Sequence, residues 1–251
     1  DCDTHKAFAA LPASKGRKWL YLQGFGDKRC NKNIKTGLAF AKKHDYRVLA
    51  CSRYLMQEAE RRGVAARLAA HGLDHETFHP PEGDAPRSPS VAMLTHGAPW
   101  KGTEDGLKAL ELVRKRRPDA EFWLFGGRPV LFKGNFLYNL PREKVARLLR
   151  GTAVYVCPSW FEGFGLPGLE ALACGASLAT TDTGGSREYA VHERTALVSS
   201  PRNPEALADN VLRLLEDETL RSQLAAAGVR LARERFKPWP EAAMDALSVL
   251  M

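Results

Sequence analysis

The stretch Pro158-Ser159-Trp160-Phe161-Glu162-Gly163-Phe164-Gly165-Leu166-Pro167-Gly168-Leu169-Glu170-Ala171-Leu172-Ala173-Cys174-Gly175 decides the fold. It follows Ala153 to Cys157, an alternating apolar run of strand type. From Leu166 onward the residues read as a helix, with Pro167 in its first turn and Gly175 as its stop. Strand, glycine-bearing loop and helix start in succession present unpaired backbone N–H groups and the positive end of the helix dipole to an anion, most often a phosphate. Gly163 and Gly165 let a ligand approach the backbone. Glu162 and Glu170 frame the loop, with seven residues between them. A bare carboxylate repels a bound phosphate. Two carboxylates make sense if they accept hydrogen bonds from hydroxyls on either side of a diphosphate, as in a nucleotide sugar. Equally, Glu170 can complement the helix dipole while Glu162 is solvated, and the pattern alone leaves both readings open.

The run Glu162-Gly163-Phe164-Gly165-Leu166-Pro167, with its second Glu at 170 and Ala171-x-Ala173-x-Gly175 after it, closely resembles the donor-site signature of the family 4 glycosyltransferases. That resemblance implies an α/β chain of GT-B type. A Rossmann-like, parallel-sheet donor domain is expected over residues 86–236. A partial N-terminal Rossmann-like domain is expected over 1–85, with a helix over 237–251 packing back on it. The resemblance also implies that Glu162 contacts the transferred sugar and Glu170 the ribose of the nucleotide.

Composition bounds the rest. The chain has 251 residues, 44% hydrophobic and 26% charged, enough for one large domain or two smaller ones. No apolar run reaches the roughly 18 residues of a membrane-spanning helix, and no signal peptide is visible. The five cysteines are scattered, without Cys-x-x-Cys spacing, which argues against a metal or disulfide framework and fits a reducing cytoplasm. A formal charge of +8 points to an anionic partner without choosing among nucleotide, nucleic acid and membrane surface.

Taken in order, strands are expected at Trp19–Gly24, Tyr46–Cys51 and Arg67–Ala70, with helices over 33–43 and from Ser52 to Arg62. That alternation argues a parallel sheet. His71, His75 and His79 recur at four-residue intervals, but Gly72, Pro80 and Pro81 make the segment a loop and disfavour a metal site. This segment resembles the element that ends the first domain of the same family. Pro80 to Pro89 reads as the linker. The second unit opens with the strand Ser90–Thr95, then the loop His96–Gly102 and a helix capped by Thr103. Lys101, just before that helix, is a second anion signal. The resemblance places it on the diphosphate; the Arg that usually stands a few residues earlier is missing from Gly97-Ala98-Pro99, and Arg128 is a candidate to replace it. Asn139 and Leu140 are where the family holds the base. Gly184, Gly185 and Glu188 match its Gly-Gly-x-x-Glu element beside the donor sugar or phosphate. The donor site expected from the resemblance is therefore Glu162, Lys101, Glu170, Gly163, Phe164, Gly165, Leu166, Gly184, Gly185, Glu188, Arg128, Asn139 and Leu140. Arg114–Arg117 ends its helix in cations that complement the dipole, and no aromatic interleaving supports a nucleic-acid patch.

The implied reaction is retaining transfer of a sugar from a nucleotide-diphosphate donor to an acceptor hydroxyl, with neither cofactor nor metal. The acceptor is expected to be a glycan or a lipid-linked molecule. The expected place is the cytoplasm, with the basic stretch Lys28–Lys43 able to lie near an anionic membrane surface. The first unit offers about three strands before the linker, so the reading expects it to be cut at its amino end, with a competent donor site and defective or absent turnover in these residues. Two alternatives stay open: a nucleotide-sugar epimerase of the same architecture, and a non-catalytic nucleotide- or anion-binding module.

Overall fold

The computed structural model describes residues 10–24, 37–83 and 87–250. The expected loop from Phe25, the start of the 33–43 helix, most of the basic stretch 28–43 and residues 84–86 of the linker lie outside them.

Strands β1 (Trp19–Leu22), β2 (Arg47–Ala50) and β3 (Ala66–Leu68) form a parallel sheet in the order β1-β2-β3. Helical residues 37–43 (α1) and α2 (Arg53–Glu60) make the crossovers. Ser52 caps α2, its hydroxyl accepting from the Leu55 amide at 3.2 Å.

The second sheet holds β4 (Ser90–Thr95), β5 (Glu121–Gly126), β6 (Asn135–Tyr138), β7 (Val154–Cys157), β8 (Ser177–Thr181) and β9 (Leu197–Ser199). All pairs are parallel, in the order β6-β5-β4-β7-β8-β9. Every residue of β8 is buried, the hydroxyl residues Ser177, Thr180 and Thr181 included, as in a parallel strand covered on both faces. Helices α3 (Thr103–Arg116), α4 (Arg142–Gly151), α5 (Leu166–Ala173), α6 (Pro204–Glu216) and α7 (Glu218–Arg235) cover the sheet. In α6, Leu207, Val211 and Leu214 repeat at helical spacing and are at most 1% exposed, and the Asn203 side chain accepts from the Ala206 amide to start the helix. From β4 the chain first extends the sheet to one side (β5, β6) and then to the other (β7 to β9). The crevice beyond the carboxyl ends of β4 and β7 is therefore the topological switch point, where open parallel sheets take their ligands.

One expectation is corrected here. The α3 cap is Gly102, not Thr103. Gly102 has φ +63°, and a Cβ there would run into the Pro158 carbonyl, so the chain turns on a glycine. Thr103 is freed to tie the preceding loop: its hydroxyl donates to the His96 carbonyl at 2.9 Å and accepts from the His96 amide at 3.0 Å.

Helix α8 (Trp239–Leu250) runs alongside the first sheet. The Leu73 amide donates to the Lys237 carbonyl at 2.9 Å, and Arg67 Nη1 donates to the Val249 carbonyl at 3.0 Å. One apolar core runs from Val48 and Leu55 in the first unit through Phe164 to Tyr155 and Leu169 in the second. Among the described residues, no helix is long and apolar enough to cross a membrane.

Candidate functional site

Two loops meet at the carboxyl ends of β4 and β7. The first ends in the 3-10 turn Pro99–Lys101, and the second runs from Pro158 to Gly165. Lys101 Nζ donates to both oxygens of Glu162, at 2.8 and 3.0 Å. The Ser159 hydroxyl donates to the same carboxylate at 2.8 Å. The Glu162 backbone is held as well: its amide donates to the Thr183 carbonyl at 3.0 Å, and its carbonyl accepts from the Gly185 amide at 3.1 Å. Both charges of this pair are mostly shielded from water, so the pair is preformed rather than a solvated surface contact. Beyond it, the amides of residues 163–166 find no acceptor among the described residues and stand at the start of α5.

Glu170 lies on α5 about one turn further in. Burial pushes its carboxyl up to about 7, while Arg142 pulls the other way and Asp74 adds to the rise. Arg142 Nη2 is 3.8 Å from Glu170 and 3.6 Å from Asp74. Between them opens a cavity of about 190 Å³ with apolar walls, among them Phe78, Leu94, Phe125 and Tyr155. Asn139, in the left-handed region at φ +44°, and Leu140 precede Arg142 in the chain, and neither lines this cavity. A larger hollow of about 450 Å³ beside Arg87, Ser177 and Arg221 opens at the opposite, amino-terminal ends of β7 and β8.

The remaining expected residues divide. Arg128 is exposed at the end of β5, and its Cδ passes 3.9 Å from where a Cβ on Gly97 would sit, over the Lys101 loop. Phe164 is 3% exposed and packs on His71, Tyr189 and Phe236, at ring distances of 5.0 to 5.8 Å. Its side chain anchors the loop in the core, and only its backbone faces the crevice. Gly184 is a contact point between the units, since a Cβ there would sit 2.5 Å from the Tyr54 ring, whereas Gly185 packs within the second unit, where a Cβ would run into the Gly163 backbone. The Glu188 carboxylate accepts from the Arg53 amide at 2.6 Å, from Arg53 Nη1 at 2.8 Å and from Arg235 Nη2 at 2.8 Å. It joins the start of α2 to the end of α7. Glu188→Ala is expected to lower stability by about 1–3 kcal/mol, discounted because both arginines are partly exposed. A denaturant melt that matches the unchanged chain would contradict this.

Sequence reasoning did not bring Ser159, Asp74, Arg142, Arg53 or Arg235 to this site, and it read Ser52 only as a helix cap. Ser159 was open to it, standing three residues before Glu162 in the same loop. The others come from distant segments, and no local pattern brings them to this site.

A parallel six-stranded unit with an anion-ready helix start at its switch point, facing a second parallel unit across that loop, defines a GT-B type protein. The chain belongs to the family described as glycosyl transferases group 1, whose match spans residues 74–230. It is 30% identical over 148 residues to the N,N'-diacetylbacillosaminyl-diphospho-undecaprenol alpha-1,3-N-acetylgalactosaminyltransferase of Campylobacter jejuni, covering 55% of this chain and 39% of that protein. It is 28% identical over 214 residues to the D-inositol 3-phosphate glycosyltransferase of Jonesia denitrificans, covering 72% of this chain and 50% of that one. The chain thus spans half or less of these two curated relatives. Among solved structures, HepE of Anabaena in complex with UDP superposes with a TM-score of 0.80 at 17% identity, over 98% of this chain and 76% of that one. Sucrose-phosphate synthase from Thermosynechococcus elongatus gives 0.74 at 21% identity, over 100% of this chain and 65% of that one. At these identities the superpositions speak for the fold.

Proposed function

We propose that these residues form the donor site of a retaining glycosyltransferase that moves a sugar from a nucleoside diphosphate to an acceptor hydroxyl. The observation that carries this reading is the Lys101–Glu162 pair at the mouth of the amide-lined start of α5, with Glu170 one turn deeper. The spacing suits a nucleotide sugar: ribose hydroxyls at Glu170, diphosphate at the amides of residues 163–166 and at Lys101, the sugar at Glu162. In the reaction, the bond between the anomeric carbon and the diphosphate oxygen breaks. The acceptor oxygen bonds to the anomeric carbon on the same face, and its proton passes to the departing diphosphate. Lys101 and the amides stabilise the charge that develops on the leaving group, and a fixed, half-shielded set of donors does this without reorganising. Glu162, held in place by Lys101 and Ser159, orients the sugar. The reading assigns this charge stabilisation to side chains and amides and uses no resident metal.

The family match favours transfer over epimerisation or plain nucleotide binding. For the acceptor we favour a glycan or lipid-linked molecule, in line with the diphospho-undecaprenol in the name of the Campylobacter relative. The basic balance of the chain is compatible with work at the inner, anionic face of a membrane. The first and second units are assigned to residues 1–85 and 86–236, with 237–251 returning to the first.

Calorimetry with UDP, GDP, ADP and dTDP tests the donor site. One nucleotide is expected to bind at micromolar affinity, and Glu170→Ala is expected to weaken it at least about tenfold, the loss of two charge-assisted hydrogen bonds. Absence of binding by all four, or equal affinity in the variant, would overturn the ribose assignment.

A further inference from the structure

Arg142 is the first residue of α4, directly after Pro141. Its guanidinium stands between two carboxylates from different parts of the fold, Glu170 of α5 at 3.8 Å and Asp74 at 3.6 Å. Asp74 belongs to the segment that leaves the first sheet. Both distances exceed a hydrogen bond and lie within ion-pair range. The guanidinium also lies 5.2 Å from the centre of the Phe78 ring, close enough for cation–π attraction. Phe78, Arg142 and Glu170 all line the cavity of about 190 Å³.

We propose that Arg142 is a positioning residue of the nucleotide site: shared between Asp74 and Glu170, it keeps the Glu170 carboxylate charged and aimed at the ribose, and it makes that charge depend on the first unit. This rests on the nucleotide-sugar reading of Glu170 given above.

The electrostatics agree. Glu170 is driven toward its neutral form mainly by burial, and Arg142 is the cation that opposes this. Asp74 acts against Arg142. Burial and the hydrogen bonds from Thr77 compete at Asp74, and together with Arg142 the hydrogen bonds win, so it stays ionised below the usual carboxylate range. The other titratable groups that sense Glu170 are Tyr155 on β7, Tyr189 and Cys174, each held neutral by burial. Ionised Glu170 accepts from the two ribose hydroxyls more strongly than the neutral acid, so a proton competes with the nucleotide. Affinity therefore rises with pH through about 7 and levels off above it.

The test uses the whole chain and two readouts. The first is a carbon-13 NMR titration of the Glu170 carboxyl, assigned by its disappearance in Glu170→Gln. The second is calorimetric binding of UDP-glucose, whose diphosphate does not titrate between about pH 5.5 and about pH 8.5. Arg142→Ala is expected to raise the Glu170 midpoint by about one pH unit, Asp74→Asn to lower it, and Arg142→Lys to fall between Arg142→Ala and the unchanged chain. Near pH 7, Arg142→Ala is expected to bind UDP-glucose about fivefold more weakly, with the loss under about twofold near pH 8.5. If Arg142→Ala does not fold, Arg142→Lys and Asp74→Asn carry the titration. An unmoved Glu170 midpoint, or an affinity loss equal at every pH, overturns the proposal. A shifted midpoint in a chain that binds no UDP-glucose upholds the coupling between Arg142 and Glu170 and overturns the nucleotide reading instead.

Discussion

Lys101→Ala is expected to lower kcat for sugar transfer, or for hydrolysis of the donor, by about 10²- to 10³-fold, with a much smaller change in KM. Lys101 sits at the end of a short 3-10 turn, its ammonium within 3.0 Å of both Glu162 oxygens. In the ground state that carboxylate takes up most of its field. On the donor-site reading proposed above, negative charge grows on the leaving oxygen as the sugar–phosphate bond breaks, and a lysine at this mouth gains most at that moment. An interaction that strengthens only in the transition state appears in kcat rather than in binding. The variant also leaves Glu162 with Ser159 as its one remaining side-chain donor among the described residues, so a stability loss of about 1–2 kcal/mol accompanies the kinetic one. Release of nucleoside diphosphate from the donor measures the rate. A kcat within tenfold of the unchanged chain would remove Lys101 from the chemistry.

Gly185→Ala is expected to cost about 3 kcal/mol or more, a drop of several degrees in Tm, and to abolish donor binding. The new methyl would meet the carbonyl and carbonyl carbon of Gly163 and the Glu162 carbonyl 2.6 Å away. All three are backbone atoms, so no side chain can swing aside. The Gly163 backbone cannot retreat either, because the carbonyl of Gln23 lies on its other side and the Ser52 hydroxyl donates to the Gly163 carbonyl at 2.5 Å. Relief has to come from moving the whole loop that carries Glu162. Gly151→Ala is the matched control: nothing lies within 4 Å of its added Cβ, and little change or a slight gain is expected. Thermal unfolding and nucleotide calorimetry on the pair decide the matter; equal melting of the two variants would mean that the loop yields.

Much of this was legible in the sequence because the signals are local. The cap at Ser52 was read from the sequence, and its hydroxyl accepts from the Leu55 amide at the start of α2. The strand Ser90–Thr95 and the helix start at Leu166 were equally plain. Thr103 misled because a good capping residue stood next to a glycine, and the decisive fact, the closeness of the Pro158 carbonyl, belongs to a strand end 56 positions away. Phe164 stands in a motif read from the sequence as a ligand loop, while its ring is gripped by His71, Tyr189 and Phe236 from three other segments. Arg142 carried no motif: its position after Pro141 puts it at a helix start, but only the packing of α4 against α5 shows that Glu170 is its neighbour. Periodicity reads elements, and motifs read loops. Which charges meet across elements is set by the tertiary fold.

The seating of Gly163 against Gln23 and Gly24 has a consequence for inheritance. Two loops about 140 positions apart share one gap that holds no side chain. A mutation that fills the gap from either side has to be answered from the other, so drift at residues 23–24 is tied to drift at 163 and 185. Among related chains these positions should change together or not at all. A chimera that joins the first unit of one relative to the second unit of another should fail at this seam before it fails at the linker.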